Sequence, residues 1–154
     1  MFKTTFKKII LNSAIVLGIF FLDRATKIYI LKLAEKQNIV DIYLTSYLNL
    51  NLIWNKGIAF GLFSFDENFI YNLLSLLIIS IIIVILIMII KNDGFKRYCL
   101  ILIMGGALGN LFDRIYFSAV PDFIDLHIKN FHWFIFNVAD IFITVGVICL
   151  IYVE

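Results

Sequence analysis

Five aspartates stand out as residues that could do chemistry: Asp23, Asp113, Asp122, Asp125 and Asp140. Asp140 is the most telling, because it lies inside the apolar run Phe134–Val153. A carboxylate at membrane depth costs at least ~2.5 kcal/mol, so such a residue is a functional candidate by default. Two carboxylates brought together at a low-dielectric boundary cannot both ionise easily and share one proton. One can then accept a proton from water while the other donates to a carbonyl, the chemistry of peptide hydrolysis. Spacing alone does not choose the pair. Depth favours Asp140. Asp113 beside Arg114 reads as an ion pair or helix-end brace. Asp122 follows Pro121, which stiffens its connection.

Other chemistries find little support. Six serines occur, but none in a GxSxG elbow and none with a histidine placed to activate it. His127 and His132 lack an HExxH helix, and the stretch around them offers no cysteine ligands, so they read as interfacial histidines and no metal is expected. No phosphate-cradling glycine loop or basic nucleic-acid surface is visible, and no cofactor or nucleic-acid partner is expected. Cys99 and Cys149 lie in or beside apolar runs and read as small buried hydrophobes.

The elements that must position these residues are membrane helices. Mean hydropathy is +0.99 and the charged fraction is 16%, against about 25% in a typical soluble domain. We expect a single integral membrane domain over residues 1–154, an all-α bundle of four transmembrane helices with a small extracytoplasmic β-sheet or hairpin. The spans fall at about 8–31, 69–90, 98–116 and 133–153. The first run has a basic start like a signal peptide, but it continues into Asp23-Arg24 with no cleavage site, so it reads as an uncleaved helix. Asp23 and Lys27 are then one turn apart on one face. Leu48, Leu50 and Leu52 alternate with Asn49 and Asn51 at strand period, predicting a surface β segment over about 40–65. Within it Asn55, Gly57 and Gly61 suit close backbone approach. Gly105 and Gly109 form a small-xxx-small pattern for helix packing. Asn110 with Asp113, and Asn137 with Asp140, share faces at i,i+3.

Basic residues set the orientation. Lys3, Lys7 and Lys8 precede the first span, and Lys91, Lys96 and Arg97 surround the middle loop. The positive-inside rule makes both segments, and hence both termini, cytoplasmic. Asp23, Asn55, Asn110, Asp113, Arg114, Asp122, Asn137 and Asp140 then gather at the outer ends of the spans. Asp140, seven residues after Trp133, is expected about 10 Å below the outer surface if the helix starts there. Polar residues from three helices and two loops at one level imply a shared pocket.

These residues resemble the lipoprotein signal peptidases, or signal peptidase II, the bacterial membrane aspartyl peptidases. The resemblance rests on Asp23-Arg24-Ala25-Thr26-Lys27, Asn55-Lys56-Gly57-Ile58-Ala59-Phe60-Gly61, Gly105 to Asn110, Asp113-Arg114, Asp122-Phe123, and Phe136-Asn137-Val138-Ala139-Asp140, in the family's order and across nearly the whole chain. It implies that Asp122 and Asp140 are the catalytic dyad. It implies that Asp23, Lys27, Asn55, Gly57, Asn110, Asp113, Arg114, Asn137 and Ala139 shape the site and the substrate seat. It further implies cleavage of prolipoproteins just before a diacylglyceryl-modified cysteine, no cofactor, and inhibition by globomycin-type cyclic peptides. The setting would be the bacterial plasma membrane, in contact with lipid, with the protein as a monomer and the active site near the extracytoplasmic face. Two departures stand out: Ser118 where a glycine is expected, and Pro121 before Asp122. The competing readings are a proton or cation transporter relaying through Asp140 and Asp113, and a structural subunit glued by polar residues.

Overall fold

A computed structural model describes residues 2–37, 39–57, 67–129 and 131–153. The order is α1 (Phe2–Gln37), β1 (Asp41–Thr45), β2 (Leu48–Asn55), α2 (Glu67–Lys91), α3 (Gly94–Phe117), β3 (Val120–Ile128), β4 (Phe131–Phe136) and α4 (Val138–Val153). Four helices and one four-stranded antiparallel sheet, ordered β1-β2-β3-β4, make the fold. The segment Ile58–Gly61, singled out by its glycine and its motif, lies outside the described residues.

Among the described residues, three helical stretches are long and apolar enough to cross a membrane: Lys7–Lys36, Tyr71–Lys91 and Gly94–Phe117. Their outward side chains are apolar and uncovered; Leu76 on α2 is 60% exposed. Water would not tolerate a continuous apolar surface of this kind, and lipid does. The protein is therefore a membrane protein.

Helix α3 is central and packs on α4, α1 and α2. Its small residues permit this. A Cβ on Gly105 would meet Ile19 of α1, and one on Gly106 would run into the carbonyl of Ala139 on α4. One end of the bundle is filled by Ile85, Leu100, Ile103 and Met104. At the other end Phe123 of β3 packs with Ile30 and Val40, with Leu50 and Leu52 of β2 against them. That face of β2 is the one the leucine alternation predicts. Lys8 lies 3.6 Å from Asp93, so the start of α1 and the α2–α3 connection share one end.

Two expectations need correction. The stretch around Asp122, read only as a connection between the last two spans, is strand β3. Residues 133–136, read as the start of the last helix, belong to β4. A register shift between the Asp125–Ile135 and His127–His132 pairs puts a bulge in β4 and breaks its simple alternation, and apolar aromatics suit a pleated surface as well as a helix. Helix α4 therefore starts at Val138 and has 16 residues, a rise of about 24 Å against a hydrocarbon core of about 30 Å. Asp140 is its third residue, so the expected two turns of helix above it do not exist.

Ser118 closes α3 at φ 56° and ψ 20°, donating its backbone N–H to the Arg114 carbonyl at 3.2 Å. This is a left-handed cap, the conformation glycine takes most readily, which explains why a glycine suits the position.

Candidate active site

The site grows from the start of α4. Asn137 is the N-cap. Its Oδ1 accepts from the Asp140 backbone N–H at 3.1 Å, and Asp140 Oδ2 accepts from the Asn137 backbone N–H at 3.1 Å. That is a reciprocal capping box built from Asn and Asp at i,i+3. The pair therefore marks where a helix begins, and Asp140 sits where the backbone N–H groups of a helix start favour negative charge.

Asn137 is fully buried. Its Nδ2 donates to Asp122 Oδ1 at 2.6 Å. The other Asp122 oxygen accepts from Asn55 Nδ2 at 2.9 Å. Asp140 Oδ1 accepts from Asn110 Nδ2 at 2.7 Å. Two carboxylates from separate elements, β3 and α4, thus converge on one asparagine. Burial pushes the Asp122 carboxyl above its ordinary range. The hydrogen bonds from Asn55 and Asn137 pull it down, and the Asp140 charge pushes it up again.

Beneath the pair lies a buried ionic layer. Lys27 is fully buried on α1. It donates to Asp23 Oδ2 at 2.8 Å, Asn110 Oδ1 at 3.0 Å and Asp113 Oδ2 at 2.6 Å. Asp113 also pairs with Arg24 at 2.6 Å, and the Arg24 guanidinium lies over the Phe112 ring. Asp23 Oδ1 accepts the Ala139 backbone N–H at 3.0 Å, which ties α1 to the first turn of α4. Gly109 makes room: a Cβ there would stand 2.7 Å from Asp23 Oδ2. Two aspartates and two cations balance in this layer. The Asp122–Asp140 pair above has no ion pair of its own among the described residues. Asn110 connects the levels, since its Oδ1 also accepts from Asn137 Nδ2 at 3.2 Å.

The remaining expected residues lie at the edge. Arg114 donates through Nη1 to the Asn110 carbonyl at 3.2 Å, and its own carbonyl accepts from the Tyr71 hydroxyl at 2.7 Å. Gly57, at φ 74°, donates its N–H to Asn55 Oδ1 at 2.7 Å, which orients the Asn55 amide toward Asp122. Asp125 points elsewhere and faces His132. Of the two readings of Asp113, ion pair with Arg114 or helix-end brace, the first is corrected: Asp113 pairs across to Arg24 and Lys27 on α1, because a buried carboxylate is better satisfied by two cations already on the facing helix. Arg24 is the residue that spacing arguments passed over. Its signal is its place in Asp23–Lys27, within a segment that had to be helical to complete a span.

Beside Asp140 runs an apolar groove of about 600 Å³ whose walls include Tyr47, Phe136, Ile141 and Val145.

Comparison with known proteins agrees. A family model described as "Signal peptidase (SPase) II" matches residues 15–154. The chain is 62% identical over 154 residues to the lipoprotein signal peptidase of Pelagibacter ubique, covering all of this chain and 93% of that one. It is 45% identical over 151 residues to the lipoprotein signal peptidase of Anaplasma phagocytophilum, covering 96% and 94%. A bacterial membrane enzyme solved by the in meso method at 1.9 Å superposes with a TM-score of 0.72 at 30% identity, covering 93% of this chain and 91% of that one. On these matches the chain belongs to the lipoprotein signal peptidases, the signal peptidase II family of membrane proteases.

Proposed function

We propose that Asp122 and Asp140 form an aspartyl dyad that hydrolyses the peptide bond just before a diacylglyceryl-modified cysteine of a prolipoprotein. Asn137 carries this assignment: its Nδ2 donates to Asp122 at 2.6 Å and its backbone N–H to Asp140 at 3.1 Å. One residue thus contacts both acids, and in this reading the two share a proton. Asp122, raised by burial, carries that proton. Asp140, whose two oxygens accept from the Asn137 backbone N–H and the Asn110 amide, is the acid that takes the proton from water.

A water between them loses a proton to Asp140 as its oxygen attacks the scissile carbonyl carbon. Asp122 gives its proton to the carbonyl oxygen. In the resulting gem-diol, Asp140 returns its proton to the amide nitrogen and the C–N bond breaks. Asp122 takes back a proton from a hydroxyl as the carbonyl reforms. The acids finish as they began, and no metal is required.

The substrate's acyl chains and signal helix stay in lipid while its backbone enters the groove. We read Asn55, Gly57 and Arg114 as further substrate-seat residues, on the side of Asp122 that Asn55 contacts, and globomycin-type cyclic peptides would compete for that seat. Asp23, Lys27, Asn110, Asp113 and Ala139 position the dyad. We read all four helices as spans of the bacterial plasma membrane. Helix α4 is short because it begins below the surface under the sheet. The basic residues Lys7, Lys8, Lys91, Lys96 and Arg97 support a reading with both termini in the cytoplasm and the site at the outer face, and we take the protein to act as a monomer. No finding favours the transporter or structural-subunit alternatives.

The test is cleavage by the purified protein of a prolipoprotein with and without its diacylglyceryl group. Cleavage of the modified substrate alone, unchanged by EDTA, is expected. Equal cleavage of the unmodified substrate, or loss of cleavage in EDTA, would contradict the proposal.

A further inference from the structure

The β3–β4 hairpin carries a second cluster of ligating side chains that the peptidase chemistry does not use. Asp125 and His127 lie two residues apart on β3, so their side chains leave the same face. His132 on β4 is the cross-strand partner of His127. The two imidazoles stack with centroids 5.0 Å apart and planes at 20°. One ligand atom from each of the three residues lies within 4.8 Å of the other two. His132 Nδ1 stands 2.9 Å and 3.1 Å from the two Asp125 oxygens. Asp125 is only 3% exposed. His127 Nδ1 is buried with no hydrogen-bond partner among the described residues. A buried ring nitrogen left unpaired is unfavourable unless something binds it.

We propose that Asp125, His127 and His132 bind a divalent first-row transition ion of the Zn²⁺ or Co²⁺ class. Two imidazoles and a carboxylate suit such ions. Ligands at about 2.0–2.1 Å from a tetrahedral centre stand about 3.3 Å apart. An ion replacing the proton between His132 and Asp125 therefore widens that contact by only a few tenths of an ångström. The His132 side chain is 53% exposed and has room for that shift. Three protein ligands leave a fourth position for water. The ion would cross-link β3 to β4 three residues beyond Asp122. It would also stiffen one wall of the groove that His127 shares with Asp140. The ion takes no part in hydrolysis. This site departs from the reading of two interfacial histidines, because the spacing His127–His132 says nothing until both lie in paired strands.

The experiment uses the untagged full chain in detergent, stripped with EDTA and titrated with Co²⁺. One ion per chain, a visible d–d absorption band and a rise in Tm are expected. His127→Ala and His132→Gln should each weaken Co²⁺ binding by at least about tenfold, since losing even an outer-shell partner costs about 10–100-fold. As a readout without substitution, Zn²⁺ should shift the imidazole ¹⁵N resonances, which come from the chain's only two histidines. The proposal is overturned if the wild-type chain shows no saturable binding, if the imidazole resonances do not move, or if both variants bind Co²⁺ as the wild type does.

Discussion

Replacing Lys27 with methionine probes the ionic layer under the dyad. Methionine keeps most of the length and removes the charge. The layer then holds Asp23 and Asp113 against Arg24 alone, so its net charge goes from zero to minus one. Three hydrogen bonds, to Asp23, Asn110 and Asp113, disappear together. Breaking a buried pair by removing one partner typically costs 3–5 kcal/mol, because it strands the other charge. Against a total stability of about 5–15 kcal/mol, Lys27→Met should leave a chain that inserts but unfolds early. The double variant Lys27→Met/Asp23→Asn is the informative one. It keeps the Arg24–Asp113 pair and an Asn oxygen for the Ala139 N–H, and it restores neutrality. It should recover at least about 1 kcal/mol relative to the sum of the single losses, within the coupling range of residues in one network. Denaturant titration in mixed micelles reads all four corners of the cycle. A loss below about 1 kcal/mol for Lys27→Met, or strictly additive losses, would refute the description of this layer as a coupled, charge-balanced unit.

Two further outcomes follow from the geometry. Asn55→Ala removes a donor that favours the ionised form of Asp122, so the carboxyl, already raised by burial, rises further; the alkaline limb of the kcat–pH profile should move to higher pH, and a limb that stays or moves down would count against Asp122 as the proton donor. Gly106→Ala drives a Cβ into the Ala139 carbonyl at the start of α4 and should cost about 1–3 kcal/mol as overpacking while slowing cleavage; Gly18→Ala, with open space around it, should do neither, as thermal unfolding and turnover assays will show.

Much of this site was legible in the residues. Asp23 with Lys27, Asn110 with Asp113 and Asn137 with Asp140 all sit at helical spacings, and in the fold each pair shares a hydrogen-bond network. The strand period of β2 was legible because leucine alternates with asparagine there, but its register, with a shift between Leu50 and Ile53, was not. The β3–β4 hairpin was not. Phe131–Phe136 is apolar throughout and runs into an apolar helix, so hydrophobicity alone gives no boundary. The boundary signal was Asn137-Val138-Ala139-Asp140, which reads as a capping box just ahead of an apolar run. Reading it as a polar face within a longer helix put two turns of helix above Asp140 that do not exist. The convergence of Asp122 with Asp140 depends on pairing β3 to β2 and β4, a long-range fact that local spacing does not contain.

The most direct test of the dyad is the rate of prolipoprotein cleavage by Asp122→Asn, Asp140→Asn and the double variant, each first shown to fold by thermal unfolding. Two acids passing one proton act as a unit, so each single change should lower kcat by at least about 10²-fold, the lower range for general acid–base catalysis, and the double change should be scarcely worse than either. Near-native turnover by either single variant, or losses that multiply in the double variant, would contradict a shared-proton pair held by Asn137.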